Sequence, residues 1–542
     1  MKMKFQGGHG GLVTGSCTLF DYPRGNCKFL VDCGMKQGAD QNQHNETFDF
    51  NPKEIDFILL THAHIDHCGL IPKLYKDGFE GEVYCTSPTK ELSLISLYDN
   101  AKLNTTYSNN DIALIKWNCI DSWEDFGLSR MLKNIHPELL VGFLSTGHIL
   151  GSTGVAIQWR TNGNTVINKQ IVMSGDLGPN FDKESFHNTL GKCQVPFAYP
   201  DYLCVESTYG SISRDHKKLN FNTRINELSN HIRKSIIDNT PLVIPAFSVQ
   251  RIQDILFDIA LVTKYGEFSQ NINVSIGSKS ATQACHVYSK MLCTRQKIKS
   301  SEYLWRSKTV NDVLNYDDDK SDQFLRELYA GQIRGKLNLS FSPQRFDYNN
   351  FNIIVDSSGM CEGGPIVQHL KNCLPRRSKI ILTGYMSENS NGANLAMISR
   401  NEKPTAREIL GVQTDSIKAE IVDMSHYYSG HADQAGILQY IFSVAGTPKY
   451  APKHATVFLN HGSLHNLNQL KNKIETHVPT ENERKVDTVY IPGTESEWFD
   501  LDNGHWISSD ENAYREFINL LAKNNVPLNN YQLNILSQNE IL

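Results

Sequence analysis

The 12 cysteines of this chain form no CxxC pair and lie scattered, mostly in apolar runs such as those around Cys33 and Cys204. They give no disulfide framework, and free thiols in a reducing compartment are expected. No uninterrupted apolar run approaches the ~20 residues that a membrane helix needs, so no membrane partner is expected. The opening MKMKFQGGHGG turns to glycine where a secretory leader would carry its apolar segment. A cytoplasmic protein is therefore expected. Internal repeats and low-complexity tracts are missing too. Nor is there an excess of positive charge: 53 basic against 58 acidic residues leave a net charge of −5. That argues against wholesale electrostatic binding of nucleic acid and leaves room for a local basic groove.

What is present is an ordinary globular composition, 40% apolar and 20% charged over 542 residues. Such a length gives a prior of about two to four domains. In the first third, apolar runs end in turn or acidic signals: CKFLVDCG, IDFILLTHAH, GEVYCTSPT, QIVMSGDLG, YLCVESTYG. They read as buried strands whose ends carry polar residues, where layered α/β folds place their sites. After Gly210 the texture changes to alternating helices and strands. FNTRINELSNHIRKSI puts Leu228, Ile232 and Ile236 on one helical face, and PLVIPAFS, NIIVDSSGM and KIILTGY are strands. A second α/β unit is expected over about 209–385. The stretch 295–335 is polar and resists assignment. Short strands return from about 415, and the tail has a helix at NAYREFINLLAK.

The segment LLTHAHIDHC crowds His62, His64, Asp66 and His67 just past an apolar strand. Neutral imidazoles and carboxylates are ligands for zinc, with manganese and iron as alternatives. From a loop at a strand end, His62 and His64 can reach one point, and Asp66 and His67 a second. Four residues cannot close two metal shells, so further ligands are needed. His148 in STGHILGS, Asp176 in VMSGDLG and His461 in VFLNHG sit at similar strand ends. Asp176 is the natural bridge, because a carboxylate has two oxygens. Two metals about 3.5–4 Å apart clamp an in-line attack on phosphate.

The ordered set LVDCG, THAHIDH, TGHILGS, SGDLG, ESTYG, SGHAD and NHG, between residues 32 and 461, resembles the metallo-β-lactamase superfamily and, within it, the β-CASP nucleases. SSGMCEGGPIVQHL resembles a Gly-rich stretch of their bacterial and archaeal members. The resemblance implies an α/β fold, a metallo-β-lactamase αββα sandwich with an inserted β-CASP cap. Its domains would be 1–208 (first part), 209–385 (β-CASP), 386–480 (return) and 481–542 (C-terminal extension). It implies two Zn2+, with Mn2+ as the alternative. His62, His64, His148 and Asp176 would hold one, and Asp66, His67, His461 and shared Asp176 the other. Asp32 would orient a ligand imidazole by accepting its other N–H. Glu206 and His431 match a pair in which the carboxylate steadies a histidine that protonates the leaving oxygen. Asp66, Glu206, His431 and Asp32 are thus the expected catalytic residues.

The fold alone does not give the function. Redox members carry glutamate where this chain has His64. DNA-acting relatives lack the histidine matching His461, and RNA-acting ones have it. The expected activity is therefore hydrolysis of RNA phosphodiester bonds, single-stranded RNA in particular, by two-metal hydroxide attack, in endonuclease or 5′ exonuclease mode. A DNA nuclease is the runner-up, and a silent subunit of a processing complex is third, since such members lose ligands. A homo-oligomer is a further open expectation. SRDHKK with Lys217 and Lys218, and PRRSK with Arg376 and Arg377, either line a groove facing phosphates or form solvated faces. Ser357, Ser358 and Gly359 are candidate hydroxyl and amide donors to a phosphate. Three stretches depart from the family pattern: Pro365 for an arginine, NSNGANL for a Gly-Thr-Leu-Gly-Arg type segment, and Ser463 for a glutamate.

Overall fold

The structure, a computed structural model, describes residues 1–38, 45–120, 133–179, 189–196, 200–295, 303–341, 345–387, 389–444, 454–493 and 497–507. The helix expected at NAYREFINLLAK lies outside the described residues.

Strict alternation along single strands builds the layers. In Cys27–Val31, Phe29 and Val31 face one core while Leu30 faces another; in Tyr202–Glu206, Tyr202 and Cys204 oppose Leu203 and Val205. Residues two apart share a face of a strand, so each strand carries two apolar faces and must be covered twice. The first sheet has eight strands in the spatial order His505–Ile507, Trp498–Asp500, Lys2–Gly7, Cys17–Tyr22, Cys27–Val31, Phe57–Leu59, Glu82–Cys85 and Trp117–Cys119. The second has seven: Lys485–Tyr490, His454–Asn460, Tyr202–Glu206, Lys169–Met173, Thr153–Trp159, Leu139–Ser145 and Lys133–His136. Between them lie Phe20, Phe29, Phe57, Phe143, Trp159 and Phe458, with Phe29 stacked 4.9 Å from both Phe20 and Phe57. Full burial of each such side chain stabilises by about 1.5–3 kcal/mol. Outside the first sheet, Ile58 and Val83 pack on Ile71, Leu74 and Leu97; outside the second, Leu203 and Val457 pack on Ile437, Leu470 and Ile474. The result is the expected αββα sandwich.

The cap is a six-stranded parallel sheet ordered Leu337–Phe341, Ile272–Ile276, Ile353–Asp356, Leu242–Pro245, Lys379–Leu382 and Glu420–Asp423. Its two central strands, Ile353–Asp356 and Leu242–Pro245, are buried along their whole length because helices cover both faces. Val243 and Ile354 meet Ile366 and Leu370, while Leu242 and Ile353 meet Leu228, Ile232, Ile255 and Ile259. A buried ionic pair joins two cap helices, Arg224 Nε lying 2.8 Å from Asp258 Oδ2, and the chain leaving the cap is tied to it by Tyr428 Oη, which donates to that same oxygen at 2.8 Å.

Two expected boundaries move. Glu420–Asp423 was assigned to the return of the metal-binding domain (386–480), but it pairs with Lys379–Leu382, held there by Lys379 Nζ to Glu420 at 3.0 Å. We therefore draw the cap from the helix Phe221–Ile237 to about residue 423. Residues 481–542 were set aside as an extension, yet Lys485–Tyr490 joins the second sheet and Trp498–Asp500 and His505–Ile507 join the first. Local pattern shows a strand but not which sheet it enters. The unassigned stretch 295–335 contains two helices, Thr309–Leu314 and Asp318–Tyr329.

Candidate active site

Parallel pairing brings several strand ends to one edge. Val31 pairs with Leu59, Met173 with Cys204, and Glu206 with Asn460. Just past those ends stand Asp32, His62, Asp176 and His461, and His148 follows the end of Leu139–Ser145. Thr153 N donates to Thr61 O at 2.9 Å and so locks the two sheets together at this edge. Gly175 (φ +56°) and Gly147 (φ +65°) turn the chain directly before Asp176 and His148. Asp32 (φ +60°) and His461 (φ +52°) adopt the same left-handed backbone with side chains, a strain that packing must hold.

The donors form two clusters around one carboxylate. His64 Nδ1 is 3.1 Å from both His62 Nε2 and His148 Nε2, and Asp176 Oδ2 lies 3.4 Å from His62 Nε2 and 3.5 Å from His148 Nε2. On the other side, His67 Nε2 is 3.1 Å from His461 Nε2 and 3.2 Å from Asp176 Oδ1, and Asp66 Oδ2 is 3.4 Å from His461 Nε2. Donors around a tetrahedral cation with ~2.0–2.1 Å bonds stand ~3.3 Å apart, so these spacings fit. Asp176 Oδ1 is buried and makes no aligned hydrogen bond despite His67 at 3.2 Å. A buried carboxylate oxygen without a hydrogen bond, set among imidazole nitrogens, is suited to accept a cation. The donor set therefore fits divalent metal, with Asp176 standing between two groups of candidate ligands.

A hydrogen-bond chain sets the ring orientations. His62 Nδ1 donates to Thr61 Oγ1 at 3.1 Å, Thr61 Oγ1 donates to Asp32 Oδ2 at 2.9 Å, and His67 Nδ1 donates to the same oxygen at 2.7 Å. Asp32 thereby fixes one imidazole of each cluster. His148 Nδ1 donates to Gly430 O at 2.6 Å, and His461 Nδ1 to Thr208 Oγ1 at 3.2 Å. In its neutral form each of these four rings turns the Nε2 lone pair toward the centre. Burial holds His62 and His148 far below the usual imidazole range and brings His64 down to about 4. Burial opposes charge on His67 and His461 as well. There, however, Asp176, with Asp32 at His67 and Asp66 at His461, wins and raises both, His461 to about 9.

His431 stands beside the centre, its ring centroid 4.5 Å from that of His148. Its Nδ1 donates to Glu206 Oε1 at 2.9 Å. Burial works against an imidazolium here, but the Glu206 carboxylate raises the His431 pKa. Glu206 also accepts from Leu177 N at 2.7 Å and Thr208 N at 3.1 Å, so it is anchored to the Asp176 loop.

The remaining expected residues divide. Ser357, Ser358 and Gly359 follow Ile353–Asp356 at the carboxyl end of the cap sheet, the end that carries Thr383. Ser357 Oγ donates to Ser278 Oγ at 3.0 Å, and Ser358 Oγ is buried without a partner among the described residues. Arg376 and Arg377 precede Lys379–Leu382 and so lie at the opposite end of that sheet, where Arg376 bonds Asn349. A groove facing the metal cluster cannot include them. Lys217 and Lys218 are exposed, Lys218 beside Asp215 at 3.6 Å. The basic side chain of that segment that reaches the site is Arg214, whose Nη1 donates to His431 O at 3.2 Å and whose guanidinium covers the Tyr209 ring at 4.9 Å. Sequence reading missed it, and missed Arg251 too. Arg251 is buried, donates to Thr383 O at 2.7 Å and lies against Gly430. Its only signal was a charge at the start of the helix Arg251–Tyr265, which is buried over most of its length. Of the departing stretches, Ser463 and Ser390 cap helices, accepting from Asn466 N at 3.3 Å and Ala393 N at 3.0 Å.

Three family descriptions match in chain order: the metallo-beta-lactamase superfamily over residues 10–208, the Beta-Casp domain over 252–395, and the Zn-dependent metallo-hydrolase RNA specificity domain over 414–492. An RNase J-like protein of Methanocaldococcus jannaschii is 27% identical over 84% of this chain and 91% of its own length. A ribonuclease of Thermus thermophilus is 28% identical over 82% of this chain and 90% of its own. The transcription termination factor FttA of Methanococcus maripaludis is 27% identical over 78% of this chain, which spans 62% of that longer protein. With its αββα sandwich, inserted cap and clustered strand-end histidines, the chain belongs to the metallo-β-lactamase superfamily, in the branch that carries a β-CASP domain.

Proposed function

We propose that this protein is a metal-dependent ribonuclease that hydrolyses phosphodiester bonds of single-stranded RNA, with two zinc ions held by His62, His64, His148, Asp66, His67, His461 and shared Asp176. The observation that carries the metal reading is the placement of the two Asp176 oxygens toward two separate donor clusters, one of those oxygens buried without a hydrogen bond. The RNA reading is supported by the match to an RNA specificity domain and by the names of the relatives. His461, which closes the second cluster, also favours RNA over DNA. Among the described residues no helix is long and apolar enough to cross a membrane.

When bound, the cations supply charge neutralisation at the phosphate and an activated water. The chain's own residues do the rest. Asp32, Gly430 O and Thr208 hold four imidazoles with Nε2 toward the centre. Glu206 holds His431 protonated through Nδ1, so that Nε2–H is free to serve as the acid. Water adds to phosphorus and gives one proton to solvent, the bond to the leaving oxygen breaks, and that oxygen takes the proton from His431 Nε2. Arg214, on the His431 carbonyl, and Arg251, on Gly430, brace the loop that carries the acid from both sides.

The test is an incubation of the purified protein, with Zn2+ or Mn2+, with end-labelled RNA and matching DNA bearing a 5′ phosphate or a 5′ hydroxyl. RNA is cut and a chelator stops it; mononucleotide products mark an exonuclease and discrete fragments an endonuclease. Selective cutting of DNA establishes the alternative, and intact strands of both kinds refute hydrolysis.

A further inference from the structure

One cavity beside the centre is not used by this chemistry. It encloses ≈180 Å³ and is lined by Phe5, His9, Tyr490, Gly493, Glu497 and Trp506, with Ile491 and Pro492 completing the wall. It lies at the same edge of the second sheet as the metal ligands, one strand beyond His461: Tyr490 ends the strand that runs parallel to His454–Asn460. A three-residue bridge joins the two places. Gly8 O accepts from His461 N at 2.6 Å, His9 Nδ1 donates to Gly493 O at 2.5 Å, and Gly10 N donates to Pro492 O at 3.0 Å. At ~3.8 Å per residue the cavity begins one short step from a ligand of the centre.

The walls are aromatic and rigid. Trp506 and Tyr490 are half-buried and stand at 86° with centroids 5.8 Å apart. Buried rings fix them from behind: Phe499 is 5.1 Å from Trp506, and Phe458 is 5.6 Å from Tyr490. Half-exposed rings that cannot turn away are stacking platforms for bases. Among the described residues the Trp506 indole N–H donates to no partner, and the exposed Glu497 carboxylate has none either. A carboxylate only accepts hydrogen bonds.

We propose that this cavity is a nucleobase subsite of the ribonuclease, seating a base of single-stranded RNA next to the scissile phosphate, stacked on Trp506 or Tyr490 with its amino edge on Glu497. This inference rests on the ribonuclease reading above. Cytosine, adenine and guanine each present an amino group to such an acceptor, as in the pairing of glutamate with the cytosine N4 amine. Where cytosine carries the N4 amine, uracil presents its O4 carbonyl, which the carboxylate repels. The subsite therefore favours amino-bearing bases over uracil at a single register of the substrate.

The experiment uses the metal-loaded full chain. Single-stranded RNAs carrying 5-iodocytidine at successive positions are photo-crosslinked and the adducts mapped by mass spectrometry. Parallel RNAs that differ only at that base, C or U, are compared by kcat/KM. The expected result is a crosslink to Trp506 or Tyr490 from one register and a preference for C over U of about tenfold there. Trp506→Leu lowers kcat/KM for both RNAs, and Glu497→Gln, an exposed change that spares the fold, reduces the preference. RNA that is cut while crosslinks map only elsewhere, or a wild-type C preference retained in Glu497→Gln, overturns the subsite and leaves the ribonuclease reading standing. RNA left uncut overturns both.

Discussion

His431 Nδ1 donates to Glu206 Oε1 at 2.9 Å, and that oxygen also accepts the Leu177 amide at 2.7 Å, one residue from Asp176. One carboxylate oxygen thus ties the proposed acid to the loop that carries Asp176 between the two donor clusters. His431→Ala is expected to keep both metals and RNA binding while losing about 10²–10⁴-fold in turnover, the usual range for a general acid. The loss shrinks on an activated aryl phosphodiester, whose leaving oxygen needs no proton. Steady-state kinetics on both substrates check this. Equal losses on the two would make His431 structural.

The same pair sets a pH dependence. The Glu206 carboxylate raises the His431 pKa against the effect of burial. The acid works while protonated, so activity falls as pH rises through that pKa. Glu206→Gln removes the charge and lowers the pKa, and the alkaline limb of the kcat profile moves to lower pH. An unchanged limb would show that another group titrates there.

The two donor clusters should part company in acid. His62, His64 and His148 are held low by burial, whereas Asp176 and its neighbours raise His67 and His461. An imidazolium cannot ligate, so protons compete with metal chiefly at the second cluster. Metal analysis of protein dialysed from pH 8 to pH 5.5 is expected to show one ion leaving before the other. In a His461→Ala variant only the more acid-resistant ion remains.

Arg251 links the cap to the loop of the acid. Its Nη1 bonds Thr383 O at 2.7 Å, and its guanidinium lies against Gly430, whose carbonyl orients His148. Arg251→Met keeps the length and loses the donors. It is expected to cost about 1.5–3 kcal/mol of stability, the worth of a charged hydrogen bond. Turnover should fall more than metal content does. Calorimetry, metal analysis and kcat together check it.

What the sequence revealed follows from locality. The H-x-H-x-D-H spacing after Phe57–Leu59 concentrates ligands in one loop, and the same strand-end pattern located His148, Asp176 and His461. The apolar runs disclosed buried strands, whereas the sandwich was expected from the resemblance that the ordered motifs carry. Pairing partners are a different matter. Glu420–Asp423 looks like any short half-exposed strand until Lys379 is seen beside Glu420. Arg376 and Arg377 sat near a candidate loop in sequence but lie at the far end of a parallel sheet, because each strand carries the chain from one edge to the other. Arg251 was hidden at the start of a helix of mixed composition, and the Trp506 cavity by strands from opposite ends of the chain.

The central claim is that Asp176 bridges two cations and that RNA hydrolysis needs both. The most direct measurement titrates metal-free protein with Zn2+ and, in parallel, with Mn2+, following bound metal and cleavage of a labelled single-stranded RNA in the same samples. The account predicts two ions per chain, with cleavage rising as the second site fills, and both lost in Asp176→Ala. A folded protein that binds one ion or none, or that binds two and leaves RNA intact, would contradict it.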